Sequence, residues 1–337
     1  MNWYGIFSYA FNAVAPILIL VLIGYMLKVK KVFPETFFKQ TNRFAFNYCF
    51  APMAFLNIYS LDSLSDIGLN FYIVLMGAIL IITAVSFVLS NIFTDRKERK
   101  GVLIQAGFRS NFAIIGLPLV EGLVGVEALS VAAAAQAPTI FYFNIVSVLF
   151  LAIYSKKPHF DLKSIMMSIV RNPLIQGIVA GLLCLFIRSL IPTDNSGMPI
   201  FTIRHNLKWI YTSLNYLSRI GTPLCLIALG GQFEISEVPA FKKELIAGTI
   251  MRLIMAPAIG FSVVFIAHHY GYLELNATYM GVFIAAFGAP IAVSSAAMAS
   301  EMDADETLAG QIVVWTCIFS MFTVFTMAVV FRALGMI

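Results

Sequence analysis

The sequence predicts an all-α membrane protein with ten transmembrane helices, arranged as two inverted repeats of five helices each. Three observations support this prediction. Of the 337 residues, 60% are hydrophobic and only 12% are charged, about half the charged fraction of a typical soluble domain. Ten apolar runs have the length that a hydrocarbon core demands, roughly 20 residues for about 30 Å. The two halves of the chain also align with each other at an offset of 179 residues.

The predicted spans follow one another with no connection long enough for a soluble domain. Their approximate limits are 6–27, 38–59, 70–93, 101–121, 127–154, 171–191, 208–231, 241–268, 276–299 and 307–332. We expect a first five-helix repeat over 1–155, a cytoplasmic connector over 156–170 and a second repeat over 171–337.

The basic residues alternate from loop to loop, so the net charge of +5 indicates membrane topology and no nucleic-acid partner. The segments 28–43, 94–100, 155–171 and 232–243 hold fifteen Lys and Arg residues. The positive-inside rule places these segments in the cytoplasm and both termini outside the cell membrane. One loop disagrees, because 300–306 should be cytoplasmic yet is acidic.

The cysteines predict neither a metal site nor a cofactor. Cys49, Cys184, Cys225 and Cys317 lie far apart inside apolar runs, without metal-ligand spacing. They are expected to be small buried hydrophobic residues.

The internal repeat is clearest in the fourth and ninth spans. FRSNFAI (108–114) aligns with FGAPIAV (287–293), and the same offset places Glu127–Leu129 on Glu306–Leu308. Pro52 in the second span pairs less closely with Pro223 in the seventh. Because each half has five spans, an odd number, the two halves must have opposite orientations in the membrane.

The fourth and ninth spans are also the weakest helices, with Gly116 and Pro118 in the fourth and Gly288 and Pro290 in the ninth. Proline removes an amide donor, and backbone groups freed in a membrane need protein or cavity water as partners. Corresponding interrupted helices in inverted repeats are typical of secondary transporters. Half-helix N-termini at such a crossing suit an anion.

Several separated motifs resemble the auxin efflux carrier family, which includes plant PIN carriers and bacterial malate and malonate permeases. NFAIIGLPL (111–119) resembles the family's crossover segment. RNPLIQGIVAGLL (171–183) is similar to the opening of its sixth span, and GTPLCLIALGGQF (221–233) to its seventh. The ninth span supplies the second proline break, so the resemblance extends to the end of the tenth span.

The resemblance implies a PIN-like, bile-acid-symporter-like fold in which fourth and ninth helices cross. Spans 1, 2, 6 and 7 would form a scaffold domain, and spans 3–5 and 8–10 a transport domain that moves as an elevator. It implies small organic anions, auxin-like or malate-like, as substrates. The lack of a long central loop favours a bacterial permease. Because the third span has no acidic residue, the choice of H⁺ or Na⁺ as coupling ion stays open. A homodimer is a separate possibility that also stays open.

Arg109 and Asn111 are the leading candidates for substrate contact. An arginine at the centre of a membrane is unfavourable by roughly 2.5 to 3.5 kcal/mol, so Arg109 should face a cavity or a partner. It could pair with a substrate carboxylate. Alternatively, it could extend to the membrane surface, or pair with Glu121 or with a helix C-terminus. Asn111, which the resemblance places at the site, could donate to a carboxylate or hold two helices together.

Each remaining candidate for the substrate site has a structural alternative. Pro290 would act through freed backbone groups, and the serines could bind a carboxylate or cation or bond back to their own helix. The resemblance suggests that the two asparagines of the second span line the pocket, although helix pairing also explains them. These candidates are Ser110, Pro290, Ser294, Ser295, Asn57 and Asn47. For Gln136, Asn144 and Gln311 packing is the favoured interpretation.

The predicted function is secondary transport of a small mono- or dicarboxylate by alternating access. A symporter of another solute on the same fold, or a membrane sensor, are the alternatives. A channel is disfavoured because channels repeat a filter segment or assemble rings. An enzyme is not expected, because the spans contain no paired carboxylates, no HExxH and no serine–histidine couple.

Overall fold

The computed structural model describes residues 15–16, 19–60, 68–125, 128–155, 167, 170–193, 199–233 and 239–337. The regular elements of these residues are all helices, and the described part contains no strand. The helices are α1 (Ile19–Val29), α2 (Glu35–Phe44), α3 (Phe50–Tyr59), α4 (Leu69–Phe93), α5 (Lys97–Phe108), α6 (Leu117–Val124), α7 (Leu129–Ile153), α8 (Pro173–Leu190), α9 (Ile203–Asn206), α10 (Lys208–Gln232), α11 (Lys242–Ile250), α12 (Ala256–His269), α13 (Ala277–Gly288), α14 (Ser294–Glu301) and α15 (Glu306–Ala333).

Four helices of the described part are long and apolar enough to cross a membrane. They are Leu69–Phe93, Ala134–Ile153, Pro239–His269 and Glu306–Ala333. Shorter apolar helices occur at Ile19–Val29, Ile175–Leu190 and Ala277–Gly288. The all-helical membrane fold is therefore confirmed. Most of the predicted connector 156–170, residues 6–14 of the predicted first span, and Glu127 of the repeat alignment lie outside the described residues.

Single π-helical turns precede three of the helices, and a proline follows each turn. The turns are Ala45–Cys49, Phe112–Gly116 and Met251–Met255, and Pro52, Pro118 and Pro257 lie in the first turn of the helices after them. Proline cannot donate to the carbonyl four residues earlier and its ring crowds that carbonyl. In each case that carbonyl lies within the π turn, whose wider pattern relieves the conflict. Pro223, in contrast, lies inside the regular helix α10.

The helices form two groups. The first consists of α1–α3, α8 and α10, in which α3 packs against both α8 and α10. The second consists of α4–α7 and α11–α15. An apolar core built on Phe71, Phe108, Phe283 and Phe287 lies wholly within the second group. A separate core, which includes Phe50 and Ile291, joins the two groups.

Glycines allow the helices of the first group to approach backbone to backbone. A Cβ on Gly177 would lie 2.3 Å from the carbonyl oxygen of Ala51, and a Cβ on Gly181 would lie 2.9 Å from that of Phe55. These two glycines therefore allow α8 to pack closely against α3. A Cβ on Gly24 would lie 2.0 Å from the carbonyl oxygen of Ile227, so α1 is pressed equally tightly against α10.

The acidic loop 300–306 contacts basic residues on the same face of the molecule. Asp305 Oδ2 lies 2.9 Å from Arg99 Nε, and Glu244 Oε1 lies 2.9 Å from Arg99 Nη1. Glu301 Oε1 lies 3.5 Å from Arg43 Nε. Acidic residues carry little weight in the positive-inside rule, and these carboxylates serve as partners of the basic segments. The composition of the loop therefore does not argue against the orientation inferred from Lys and Arg.

Candidate functional site

The two interrupted helices meet where their chains are extended. Helix α5 ends at Phe108 and α13 at Gly288. Between each of these helices and its continuation, the backbone forms a short antiparallel pair. The Asn111 amide donates to the Pro290 carbonyl at 2.8 Å, and the Ala292 amide donates to the Arg109 carbonyl at 3.1 Å. Freed backbone groups of the two breaks thus satisfy each other in the protein interior, as a membrane requires.

The geometry of this crossing agrees with the offset found in the sequence. At an offset of 179 residues the counterpart of Asn111 is Pro290, and these two residues lie directly opposite each other in the antiparallel pair. The half-helices match as well. Helices α5 and α13 each have 12 residues, and α6 and α14 each have 8. The two interrupted helices therefore correspond in the position of the break and in the lengths of their half-helices.

The breaks have different local causes. In the ninth span Pro290 cannot donate a backbone hydrogen bond, so α13 ends just before it. In the fourth span Pro118 lies in the first turn of α6, seven residues beyond the paired Asn111. The extended residues 109–111 contain no proline, and their pairing with the ninth span supplies the backbone partners that a helix would give. Gly116 ends the π turn that leads into α6.

A cavity of about 50 Å³ lies beside the crossing, between the two helix groups. This volume holds a few water molecules or a single carboxylate group. Helix α3 and Thr222 of α10 form one wall, and the crossing segments with α7 form the other. The lining residues are Phe50, Met53, Ala54, Asn57, Arg109, Ser110, Asn111, Ile140, Phe143, Asn144, Thr222, Ala292, Val293 and Ser294.

Arg109 is the charged group of this cavity, and it has only neutral partners. Its side chain is 3% exposed. Nη2 donates to Asn144 Oδ1 and Ser294 Oγ, both at 2.8 Å, and Nη1 lies 3.1 Å from the Met298 sulfur. Within the described ranges no carboxylate lies in ion-pair range of this guanidinium. A buried cation without a counter-charge is strongly unfavourable.

Two further polar groups beside Arg109 are buried without a protein partner. These are the Asn111 side-chain nitrogen and the Ser110 hydroxyl. Both residues line the cavity. An amide nitrogen can only donate, and a hydroxyl can donate as well as accept. Donors left open around a buried positive charge form a site that is complementary to an anion.

The other predicted site residues are divided between the cavity and its surroundings. Asn57 and Ser294 line it. Ser295 is fully buried with an unpartnered hydroxyl, but it is not part of the lining. Pro290 takes part through its carbonyl, which accepts from Asn111. Asn47 lies away from the cavity and donates to the Arg43 carbonyl one turn earlier in its own helix, so its contact with substrate stays a prediction without support from this geometry.

Two residues for which packing was favoured support the site directly. Asn144 holds the Arg109 guanidinium, and its own side-chain nitrogen donates to the Ile140 carbonyl at 2.9 Å. Gln136 donates to the Phe112 carbonyl at 2.9 Å and so fixes the π turn after the break. Gln311 instead lines a second cavity, described below.

Arg252 was not among the predicted site residues, yet it lies at the crossing. It is 1% exposed, on the π turn between α11 and α12. Its guanidinium donates to four backbone carbonyls, those of Gly107 at the end of α5 and of Ala286, Phe287 and Ala289 at the end of α13. The rule that a charge inside a membrane marks a functional region would have singled it out.

Long apolar helices, two interrupted helices that cross inside the protein and a polar cavity at the crossing are typical of a multi-pass membrane transporter. Comparison with known proteins agrees. A family model described as membrane transport protein matches residues 9–328. The chain therefore belongs to this family of membrane transport proteins, the predicted resemblance to auxin efflux carriers is confirmed, and the protein is not an enzyme.

Two curated relatives are transporters as well. An uncharacterized transporter of Methanocaldococcus jannaschii is 27% identical over 255 residues, which cover 74% of this chain and 78% of the relative. An uncharacterized transporter of Methanothermobacter thermautotrophicus is 24% identical over 329 residues, which cover 94% of this chain and 96% of the relative.

Proposed function

We propose that this transporter is a secondary carrier for a small organic anion, a mono- or dicarboxylate, which binds at the helix crossing. One observation carries the proposal: Arg109 is buried beside the cavity with neutral partners alone among the described residues. A carboxylate that enters the cavity would supply the missing counter-charge. Arginine suits this role, because its planar guanidinium can form two parallel hydrogen bonds to one carboxylate.

The surroundings of Arg109 favour the same ligand. Ser294, which donates or accepts at the cavity, is the first residue of α14, so the positive end of that helix dipole points toward the site. Asn111 and Ser110 offer further donors without a protein partner. Phe50, Met53 and Phe143 supply an apolar wall for the carbon skeleton of the substrate. A cation would meet the positive charge of Arg109, and none of the lining residues is a carboxylate.

The proposed architecture is two inverted repeats of five spans, over 1–155 and 171–337. The shared crossing point and the equal lengths of the half-helices support it. The first helix group would serve as the scaffold, and the second, which has an apolar core of its own, as the part that moves. Because the cavity is lined from both groups, movement of one against the other would open it to alternate sides, as an elevator mechanism requires.

A second cavity gives a route toward the face that carries the basic loops. It has a volume of about 160 Å³ and lies between α2, the end of α10, and the α14–α15 pair. Its mouth has charged residues, Glu35, Lys39 and Glu306, and Ala296 and Gln311 lie deeper. Ala296 follows Ser294 of the first cavity by two residues, so α14 stands between the two cavities. We propose that this space is the cytoplasmic vestibule of the carrier.

Transport by the purified full-length protein in liposomes tests the proposal. We expect counterflow of labelled malate, malonate or an aromatic acid, because exchange requires a carrier. Arg109→Gln should lose at least about tenfold in apparent affinity, which corresponds to the roughly 1.5 kcal/mol of one charged hydrogen bond, and Arg109→Lys should retain part of it. Arg204→Gln, on an exposed arginine outside the site, is the matched control.

Two results would contradict the proposal. The first is transport of cations or neutral solutes with no response to carboxylates. The second is unchanged carboxylate affinity in both Arg109 variants, which would make this arginine a structural residue. A sensor would bind carboxylate without moving it, so binding without counterflow identifies that alternative.

A further inference from the structure

Arg252 is bound by the backbone of both interrupted helices at once. Its Nη1 donates to the Gly107 carbonyl and its Nη2 to the Ala286 carbonyl, each at 3.2 Å. At the offset of 179 these two acceptors are counterparts in the two halves. Nε donates to Ala289 at 2.9 Å, and Nη2 also donates to Phe287. One guanidinium therefore closes the ends of α5 and α13 together.

These carbonyls would otherwise form an attractive site for a cation. The last carbonyls of a helix have no partner within the helix and carry the negative end of its dipole. Where transporter helices are interrupted, such ends and the adjoining unwound carbonyls commonly hold Na⁺ or H⁺. Here two of these ends converge, and a positively charged group of the protein itself fills the space between them.

The surroundings of Arg252 contain no competing charge. In the part of the chain that the structure describes, no carboxylate lies in ion-pair range of its guanidinium. Where α4 passes the end of α5, its nearest group is the Ser86 hydroxyl, which would lie 2.0 Å from a Cβ on Gly107. Ser86 already donates to the Ile82 carbonyl at 2.7 Å. The backbone carbonyls alone therefore balance the charge of Arg252.

We propose that Arg252 is a resident cation, which takes the place of a coupling cation at the helix crossing. The carrier would then move its anion without Na⁺ at this point, because the position that Na⁺ would fill is permanently occupied. This inference rests on the proposed function for its meaning in transport. The occupancy itself can be measured on the protein without any anion substrate.

Thermal unfolding of the purified full-length protein in detergent tests the occupancy. Arg252→Ala should unfold at least about 5 °C below the wild type, because four buried carbonyls lose their donor. Guanidinium at tens of millimolar, or Na⁺ compared with choline at equal ionic strength, should restore a large part of that shift. The wild type and the control Arg204→Ala should respond equally to Na⁺ and choline.

The outcomes separate clearly. If Arg252→Ala unfolds at a lower temperature but gains no more from guanidinium or Na⁺ than the wild type does, the proposal is wrong. If Arg252→Ala cannot be purified, Arg252→Lys takes its place. Its ammonium group is smaller but still positively charged, so added guanidinium should not raise the unfolding temperature of this variant. A strict requirement of wild-type anion uptake for Na⁺ would also overturn the proposal. Absence of any carboxylate transport would instead count against the proposed function and leave the unfolding result unaffected.

Discussion

Arg109 and Arg252 are both buried at the same helix crossing, yet their surroundings differ in kind. Arg252 donates to four backbone carbonyls at the negative ends of two helices. Arg109 contacts two neutral side chains and a sulfur, next to a cavity and to the positive end of α14. The fold supplies Arg252 with acceptors at the ends of two helices, whereas the described residues supply Arg109 with neutral side-chain partners only.

Because of this difference, one crossing has both helix ends fixed by hydrogen bonds and polar groups without a protein partner. The backbone groups at the ends of interrupted helices need hydrogen-bond partners, because unpartnered groups inside a membrane are strongly unfavourable. Arg252 performs that task on the carbonyl side. At the cavity, the Ser110 hydroxyl and the Asn111 side-chain nitrogen have no protein partner. The same two backbone breaks therefore hold a fixed arginine contact and lie beside a cavity with unpartnered polar groups.

The largest expected effect on transport comes from placing a carboxylate beside Arg109. In Asn144→Asp the group that accepts from Nη2 at 2.8 Å becomes charged, so the guanidinium gains a permanent buried ion pair. The internal carboxylate competes with the substrate, and we expect at least about a hundredfold loss of apparent affinity for carboxylates, since two charge-assisted bonds of about 1.5 kcal/mol each are lost.

Counterflow measured over a range of carboxylate concentrations checks this change. Asn144→Leu, which removes the acceptor without adding charge, is the matched control and should lose no more than about tenfold. If the leucine variant is impaired as severely as the aspartate variant, Asn144 acts by positioning Arg109, and the electrostatic distinction between the two arginines is not what sets the affinity.

The two arginines should also respond with opposite sign when each is neutralised in the absence of substrate. Arg109→Gln removes a buried charge without a counter-charge and should stabilise the protein by about 1 to 2 kcal/mol. Arg252→Gln leaves carbonyls unpaired and should destabilise it by roughly 3 to 5 kcal/mol, as expected for one partner of a buried charged contact. Thermal unfolding in detergent gives both shifts in one experiment. If both variants shift the unfolding temperature in the same direction, the two sites do not differ in the way proposed.

The helix breaks and the importance of Arg109 were predictable, because proline, glycine and a charged residue within a span have strong local effects. Pro290 and Gly288 weaken the ninth span wherever it lies, and the repeat offset then identifies Asn111 as the counterpart. Arg109 was identifiable because an arginine inside a membrane needs a partner. These inferences depend on the residues themselves and on their spacing, and no knowledge of helix packing is required.

The residues that sequence reasoning missed have partners that no spacing rule reveals. Arg252 bonds to backbone carbonyls, which every residue has, so its contacts leave no mark in the pattern of residue types. The acidic loop 300–306 similarly pairs with Arg99 and Arg43, which lie far away in the chain. Asn57 and Asn47 could not be distinguished either, because only the packing of α3 decides which asparagine faces the cavity.

The smallest expected effect lies at the contact between the two helix groups. Glu301 at the end of α14 pairs with Arg43 of α2 at 3.5 Å, so movement of the second group past the first would break this contact. Because Arg43 is 75% exposed, the pair should contribute no more than about 0.5 kcal/mol. Glu301→Gln should therefore change the counterflow rate by about twofold, with unchanged carboxylate affinity. Arg204→Gln, on an exposed arginine that lines neither cavity, is the control. A change in affinity in Glu301→Gln, or an equal rate change in both variants, would show that the contact does not connect parts that move relative to each other. A rate change confined to Glu301→Gln would instead locate the moving boundary between α2 and α14, away from both arginines.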